Sequence, residues 1–115
     1  MKVRWLCAVL FCVAGALAQT ADADKAFMQL TTVSMTRMNR GMEQAPMNGN
    51  VDHDFATMMI PHHVGAIDMA EAELSFGKDP VMRRLAQEII VDQQSEIEAM
   101  KLQLAKSASL TGKDK

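Results

Sequence analysis

The chain has 115 residues, of which 49% are hydrophobic and 23% are charged, and its formal net charge is −2. This size and composition are ordinary for one globular domain. The charge excludes a strongly basic nucleic-acid binder, and the low aromatic content of 4%, without any Tyr, argues against a surface for stacking bases. The unusual feature is the presence of 11 Met residues.

The first 18 residues have the pattern of a secretory signal peptide. Lys2 and Arg4 form a short basic region, an apolar run follows at residues 6–14, and Ala16 and Ala18 supply a cleavage site of small residues. The run is too short for a stable membrane anchor. Cleavage after Ala18 would remove both cysteines, two of the 12 basic residues and none of the 14 acidic ones. We therefore expect an exported protein, periplasmic or secreted, without thiols and without a stable membrane anchor.

The rest of the chain predicts three amphipathic helices. The first covers residues 22–42, where side chains recur at spacings of 3 and 4: Met28, Thr31, Met35, Met38 and Met42. A loop that contains Pro46 and Gly49 follows it.

The second predicted helix runs from about Asp52 to Phe76 and ends before Gly77. Asn50 or Asp52 can cap its start. Its stripe again steps by 4 and 3: Phe55, Met59, His62, Ala66, Met69 and Glu73. Pro61 interrupts the pattern, which predicts either a kink beside His62 or a helix that begins afresh at Pro61.

The third predicted helix has a strong start signal, because Asp79 can cap it and Pro80 suits its first position. Its stripe comprises Met82, Ala86, Ile90, Gln93, Ile97, Met100 and Leu104. We expect residues 105–115 to form a disordered tail. Three such helices with short connections predict an all-α antiparallel bundle over residues 19–104. Its core is modest, which favours completion by a homodimer.

The segment from Met58 to His63 places two thioethers and two imidazoles close together. On an ideal helix Met58, His62 and Met69 lie within a sector of about 60°, together with Glu73. His63 points about 100° away, on the side of Met59, so the two histidines need not bind the same ion. His53, earlier on the helix, could frame the entrance.

Thioether sulfur is a soft ligand and imidazole is borderline, so a Met and His set suits Cu(I) and, by similarity, Ag(I). Zn(II) is less favoured because Met binds it poorly and the exported chain would lack Cys. The alternative is structural, since a Met stripe at helical spacing is typical of a packed core. That alternative holds for all the Met residues and for His53, and we expect structural roles for Glu73 and Gln93.

Four segments carry a resemblance to a known family: Asp54-Phe55, the run from Met59 to His63, the run from Gly65 to Ala70 and the Glu73-Leu74 pair. They resemble the CopM-like family, long catalogued as the DUF305 domain of unknown function. The resemblance covers about residues 52–104. It implies an exported, ferritin-like helical protein that binds copper or silver through Met and His. Carried onto this chain, the implied ligands are His62, His63, Met59, Met69, Met58 and Met100.

We therefore expect a periplasmic, non-enzymatic protein that binds Cu(I) for copper sequestration, trafficking or tolerance, with periplasmic copper-handling proteins as partners. One alternative is a metal-free helical module that binds partners through Met-rich surfaces. Another, less favoured, is a ferritin-like enzyme that oxidises metal. Such a site needs Glu-x-x-His pairs, and none of the three histidines has Glu three residues before it.

Overall fold

The computed structural model describes the backbone of residues 4–111 and the side chains of residues 20–110. Three helices make up this part of the chain: α1 (Arg4–Glu43), α2 (Val51–Phe76) and α3 (Pro80–Thr111). The all-α class and the three helices are confirmed. The predicted signal peptide falls on residues whose side chains lie outside the described part, so its cleavage stays a prediction.

The N-terminus of α2 is fixed by polar contacts that the sequence signals. The Asn50 side chain accepts a hydrogen bond from the backbone N–H of His53 at 3.0 Å, as an N-cap does. The Asp54 carboxylate accepts bonds from the backbone N–H groups of Asn48 at 2.8 Å and Gly49 at 3.0 Å. The loop therefore folds back onto the first turn of α2.

α2 continues through Pro61 as one helix. Of the two interpretations of this proline, a fresh start at Pro61 is wrong. Its ring packs against α1, where a Cβ added to Gly41 would lie 2.6 Å from the Pro61 Cβ. Because Gly41 has no side chain, the Pro61 ring can pack directly against the backbone of α1.

α1 and α2 pack antiparallel through small residues. The Ser34 hydroxyl donates to the Gly65 carbonyl at 2.9 Å, and Met38 packs over Gly65, where an added Cβ would lie 2.7 Å from the Met38 Cβ. Arg37 forms an ion pair with Asp68 at 3.0 Å beside this contact. Close backbone approach thus replaces large interlocking side chains here.

The turn between α2 and α3 forms as the sequence predicts at its N-cap. The Asp79 carboxylate accepts from the N–H groups of Val81 and Met82, each at 2.9 Å. Arg83 then reaches back and donates to the carbonyls of Leu74 at 2.6 Å and Gly77 at 2.9 Å. These bonds satisfy carbonyl groups at the C-terminus of α2, which have no partner within the helix.

α3 extends further than expected. It runs to Thr111, so residues 105–111, which the sequence predicts to be disordered, are helical. The reason is local: this segment contains Ala, Lys and Leu, which favour helix, and no Pro interrupts it. Residues 112–115 lie outside the described part.

The helices form an open layer with α2 in the middle. α1 and α3 each pack against α2, and within the described residues they make no backbone contact with each other within 8 Å. The buried apolar residues are mostly small: Ala56, Ala70, Ala72, Ala86 and Ile97. None of the helices in the described part is long and apolar enough to span a membrane.

Candidate metal site

His63 is the most buried of the predicted ligands, with 9% of its surface exposed. It lies where α2 contacts α3, and its Nε2 is 2.6 Å from Oε2 of Glu96 on α3. Its Nδ1 is buried and has no hydrogen-bond partner among the described residues. The imidazole is thus held at one nitrogen and has no partner at the other.

His62 lies on a different side of α2 from His63. Its ring is 5.8 Å from that of His63 between centroids, with the planes at 61°. Its Nδ1 is also buried and lacks a partner in the described part of the chain. Buried polar atoms are nearly always paired, so two unpaired imidazole nitrogens side by side call for an explanation.

The contacts of α2 show which residues share its open sides. Pro61, Gly65 and Asp68 face α1, and His63 faces α3. These contacts lie on roughly opposite sides of an ideal helix. The stripe of Met58, His62 and Met69 falls between them on one open side.

The Met stripe of α1 lies on that same open side. Ser34, Met38 and Gly41 face α2, so Met28, Met35 and Met42 point to one side of the contact and Arg37 to the other. Arg37 lines a groove with Asp68, Glu71 and Ser75, which lie on the side of α2 away from His62. By elimination, the two Met stripes face the same way. We call the resulting surface the Met–His face: Met28, Met35, Met42, Met58, His62 and Met69.

Side chains on the Met–His face range from half-buried to exposed. Met28 is 62% exposed, Met35 47% and Met69 37%, whereas Met42, Met58 and His62 are half-buried. Register places Met42 beside the turn of His62, because Gly41 meets Pro61, and Met35 beside the turn of Met69. The face is therefore a soft, uncharged surface with His62 near its centre.

Met59 and Met100 belong to a second group near His63. Met59 lies one helical turn before His63 on α2, and Met100 lies one turn after Glu96 on α3. Because the helices are antiparallel and His63 meets Glu96, these two methionines lie at the same level. Both are half-buried.

The structure does not bring His53 to this region. Nine residues separate it from His62, which places it on the opposite side of α2 and about 13 Å along the axis. Its Nδ1 is 3.1 Å from Asp54 Oδ1. The prediction that His53 frames the entrance is therefore corrected: it belongs to the loop and helix cap.

Glu73 and Gln93 differ from each other in their surroundings. The Glu73 carboxylate folds over Gly77 at the end of α2, which agrees with a structural role. Gln93 lies on α3 one turn before Glu96, and its Oε1 is buried without a partner among the described residues. It is the third buried polar atom without a partner in the described part, beside the Nδ1 atoms of His62 and His63.

The donor set contains sulfur and nitrogen but few oxygens. In the described part of the chain, no three side chains of His, Cys, Asp or Glu come together as a group that could hold a metal ion. Any metal held here would depend on the thioethers that surround the two histidines. That requirement favours a soft ion.

The Domain of unknown function (DUF305) family matches residues 13–104. The chain belongs to this family. It is also similar to the "Uncharacterized protein L153" of Acanthamoeba polyphaga mimivirus, with 43% identity over 49 residues, which are 43% of this chain and 32% of the viral protein. The matched part thus spans about a third of that relative. The DUF305 family predicted from the Pro-His-His segment is confirmed, whereas the CopM-like resemblance stays a prediction.

Sequence reasoning missed Glu96 as a partner of His63. Glu96 lies beside the predicted apolar stripe of α3, and the pattern does not distinguish it from the solvent-exposed carboxylates of this helix. The one indication of a contact is its position at the edge of the stripe, one turn from both Gln93 and Met100. Which α2 residue it meets depends on helix register, which the sequence does not reveal.

Proposed function

We propose that this DUF305 protein binds Cu(I), and Ag(I) by the same chemistry, through Met and His side chains, and so sequesters or delivers copper. The observation that carries this proposal is the pair of buried, unpartnered Nδ1 atoms on His62 and His63, within one turn of Met58 and Met59. An unpaired buried acceptor costs free energy. A soft cation bound at each nitrogen would satisfy it.

The ligands fall into two groups. His62 would act with Met58 and Met69 on the Met–His face, where the α1 methionines add further sulfur. His63 would act with Met59 and Met100 between α2 and α3. The arrangement favours binding over catalysis, because it offers a metal soft, neutral donors rather than the carboxylates of a metal-oxidising site.

Export is part of the proposal. A thioether site suits an oxidising compartment, because Met sulfoxide is a milder lesion than the oxidation products of Cys. The signal-like residues 1–18 support periplasmic or secreted localisation, where copper-handling proteins would be the partners.

Mass spectrometry of the exported protein should show Gln19 as its N-terminus, and an intact Met1 in that fraction would contradict export by this route.

The Met–His face also supports a second candidate function. Exposed methionines form adaptable surfaces for protein partners, and Met28 and Met35 are each about half exposed or more. A metal-free interaction module would use this surface without needing His62. The two functions therefore differ in whether His62 and the sulfur atoms matter.

Anaerobic titration of Cu(I) against a competing chelator tests the proposal. His62→Ala and Met69→Leu should each weaken Cu(I) binding at least about tenfold, equivalent to about 1.4 kcal/mol. Met69→Leu retains volume and apolarity, so the fold should lose less than about 1.5 kcal/mol. Met47→Leu, in the loop before α2, is the matched control and should leave the affinity unchanged.

The opposite result is equally clear. If neither His62→Ala nor Met69→Leu alters Cu(I) affinity, the Pro-His-His segment is a packing feature and the interaction module becomes the better account.

A further inference from the structure

A hydrogen bond between His63 and Glu96 joins α2 to α3. We infer that Glu96 is a positioning residue, which holds His63 in the tautomer with the proton on Nε2 and leaves Nδ1 as its metal-binding atom. The second half of this inference rests on the proposed function. The first half concerns the metal-free protein alone.

The geometry defines the direction of the hydrogen bond. Glu96 Oε2 is 2.6 Å from His63 Nε2, and an ionised carboxylate only accepts hydrogen bonds. Nε2 must therefore carry the proton. In a neutral imidazole the other nitrogen then holds a free lone pair.

The surroundings of Nδ1 favour the same tautomer. Nδ1 is buried and unpartnered among the described residues. A proton on Nδ1 would leave a buried N–H without an acceptor, whereas a proton on Nε2 leaves only a lone pair at Nδ1. The hydrogen bond and the burial therefore point to the same atom as the site of the proton.

Glu96 can orient the His63 ring while most of its own side chain stays in contact with solvent. Its side chain is 61% exposed, whereas that of His63 is 11% exposed. The carboxylate keeps most of its hydration while one oxygen reaches the ring. Carboxylates that bind the far nitrogen of a metal-bound His orient the ring and raise its basicity, and losing one typically costs 10–100-fold in metal affinity.

The tautomer is measured directly by NMR of the metal-free protein with ¹⁵N-labelled histidine. At a pH where its ring is neutral, His63 should show a protonated Nε2 and an unprotonated Nδ1. Glu96→Ala should weaken this preference, and Glu96→Gln should restore it because the Gln Oε1 can still accept the bond. Glu98→Ala, which removes a surface carboxylate paired with Lys101 at 2.9 Å, is the control and should change nothing. A proton on Nδ1 in the wild type, or an unchanged His63 in Glu96→Ala, would overturn the inference.

Cu(I) binding tests the second half. Adding Cu(I) should shift the Nδ1 resonance of His63 while Nε2 keeps its proton, and Glu96→Ala should weaken binding about tenfold. Full affinity in Glu96→Ala, when His62→Ala and Met69→Leu both weaken binding, would overturn the positioning role and leave the copper site standing. Loss of the copper function would instead appear as unchanged affinity in His62→Ala and Met69→Leu, whatever the tautomer of His63.

Discussion

Two glycines decide how closely α1 approaches α2. Gly41 lies against the ring of Pro61, and Gly65 lies beneath Met38. Pro61 is rigid, so the contact at Gly41 cannot relax by rotation of a side chain. The sequence shows Gly41 only as a helix-terminating residue, since its partner lies 20 residues away.

Gly41→Ala should destabilise the protein although alanine is the better helix former. The added Cβ would meet the Pro61 Cβ at 2.6 Å, and overpacking of this kind costs about 1–3 kcal/mol. The gain in helix propensity recovers about 1 kcal/mol at most. Urea unfolding should show a net loss, whereas Gln29→Ala on the exposed side of α1 should stay within about 0.5 kcal/mol. A Gly41→Ala variant as stable as the wild type would show that α1 and α2 do not meet here.

Asp54 links the α1–α2 loop to α2 in a way that depends on pH. Hydrogen bonds from the backbone of Asn48, then from the His53 side chain, hold the pKa of Asp54 below its ordinary value of 3.8. A lowered pKa in the folded state means that the ionised carboxylate stabilises the fold. This contribution is present above the unfolded-state pKa and is lost as the pH falls through the folded-state pKa.

Asp54→Asn should therefore lower the Tm at pH 6 and have less effect as the pH falls below 3.8 towards the lowered folded-state pKa of Asp54. Thermal unfolding followed by circular dichroism across this range measures the difference. Asp52→Asn, an exposed neighbour in the same turn, is the control. A gap between wild type and Asp54→Asn that stays constant down to pH 2.5 would contradict the role of the carboxylate.

At the residue scale, the sequence predicted types of side chain better than their partners. The cap residues Asn50 and Asp79 act within three residues of themselves, so local chemistry sufficed. The partner of His63 could not be predicted, because Glu96 is 33 residues away and only packing brings it close. His53 was misplaced for a different reason: its spacing from His62 puts it on the opposite side of the same helix, and the prediction did not take this rotation into account.

At the scale of elements, the starts of α2 and α3 and the end of α2 were predictable, and the end of α3 was not. The first helix begins at Arg4 rather than at the predicted residue 22. Pro and Asx residues mark the starts of α2 and α3, and Gly77 stops α2. Beyond Leu104 the apolar stripe ends, which suggested disorder. We attribute the helical state of residues 105–111 to helix propensity, which a search for an apolar stripe does not detect.

Arg83 connects two elements, and its removal should weaken the α2–α3 turn. Its guanidinium donates to two carbonyls at the end of α2, and hydrogen bonds from charged groups contribute about 1.5–3 kcal/mol when protected from water. Since Arg83 is only half-buried, we expect Arg83→Ala to cost about 1–2 kcal/mol in chemical denaturation. Arg84→Ala removes only an exposed pair with Glu88 and should cost less than about 1 kcal/mol. Equal effects of the two substitutions would contradict the capping role.

At the scale of the whole molecule, the sequence predicted three packed helices but not which one is central. All three have apolar stripes, and any order would bury some of each. Gly41, Gly65 and the interhelical bonds place α2 between the others, which leaves the Met–His face open. A stripe that looks like core in the sequence is thus surface in this chain.

The open layer predicts self-association through the Met–His face. Three of its methionines, Met28, Met35 and Met69, are 62%, 47% and 37% exposed although their side chains are apolar. A stable interface needs about 800 Å² from each partner. We expect a second copy to cover this uncharged face.

Sedimentation equilibrium of the metal-free protein at micromolar concentration should therefore give the mass of a dimer. Met35→Glu would place a charge within the interface and should yield monomers, whereas Gln29→Glu on the outer side of α1 should not. A monomeric mass for the wild type at every concentration would contradict the proposed interface.

The measurement that tests the copper-binding account most directly is X-ray absorption spectroscopy at the copper edge, on the anaerobic protein loaded with one equivalent of Cu(I). The account predicts sulfur together with imidazole nitrogen among the atoms bound to copper, with a smaller nitrogen contribution in His62→Ala and less sulfur in Met69→Leu. Nitrogen and oxygen alone, or spectra unchanged by both substitutions, would contradict it.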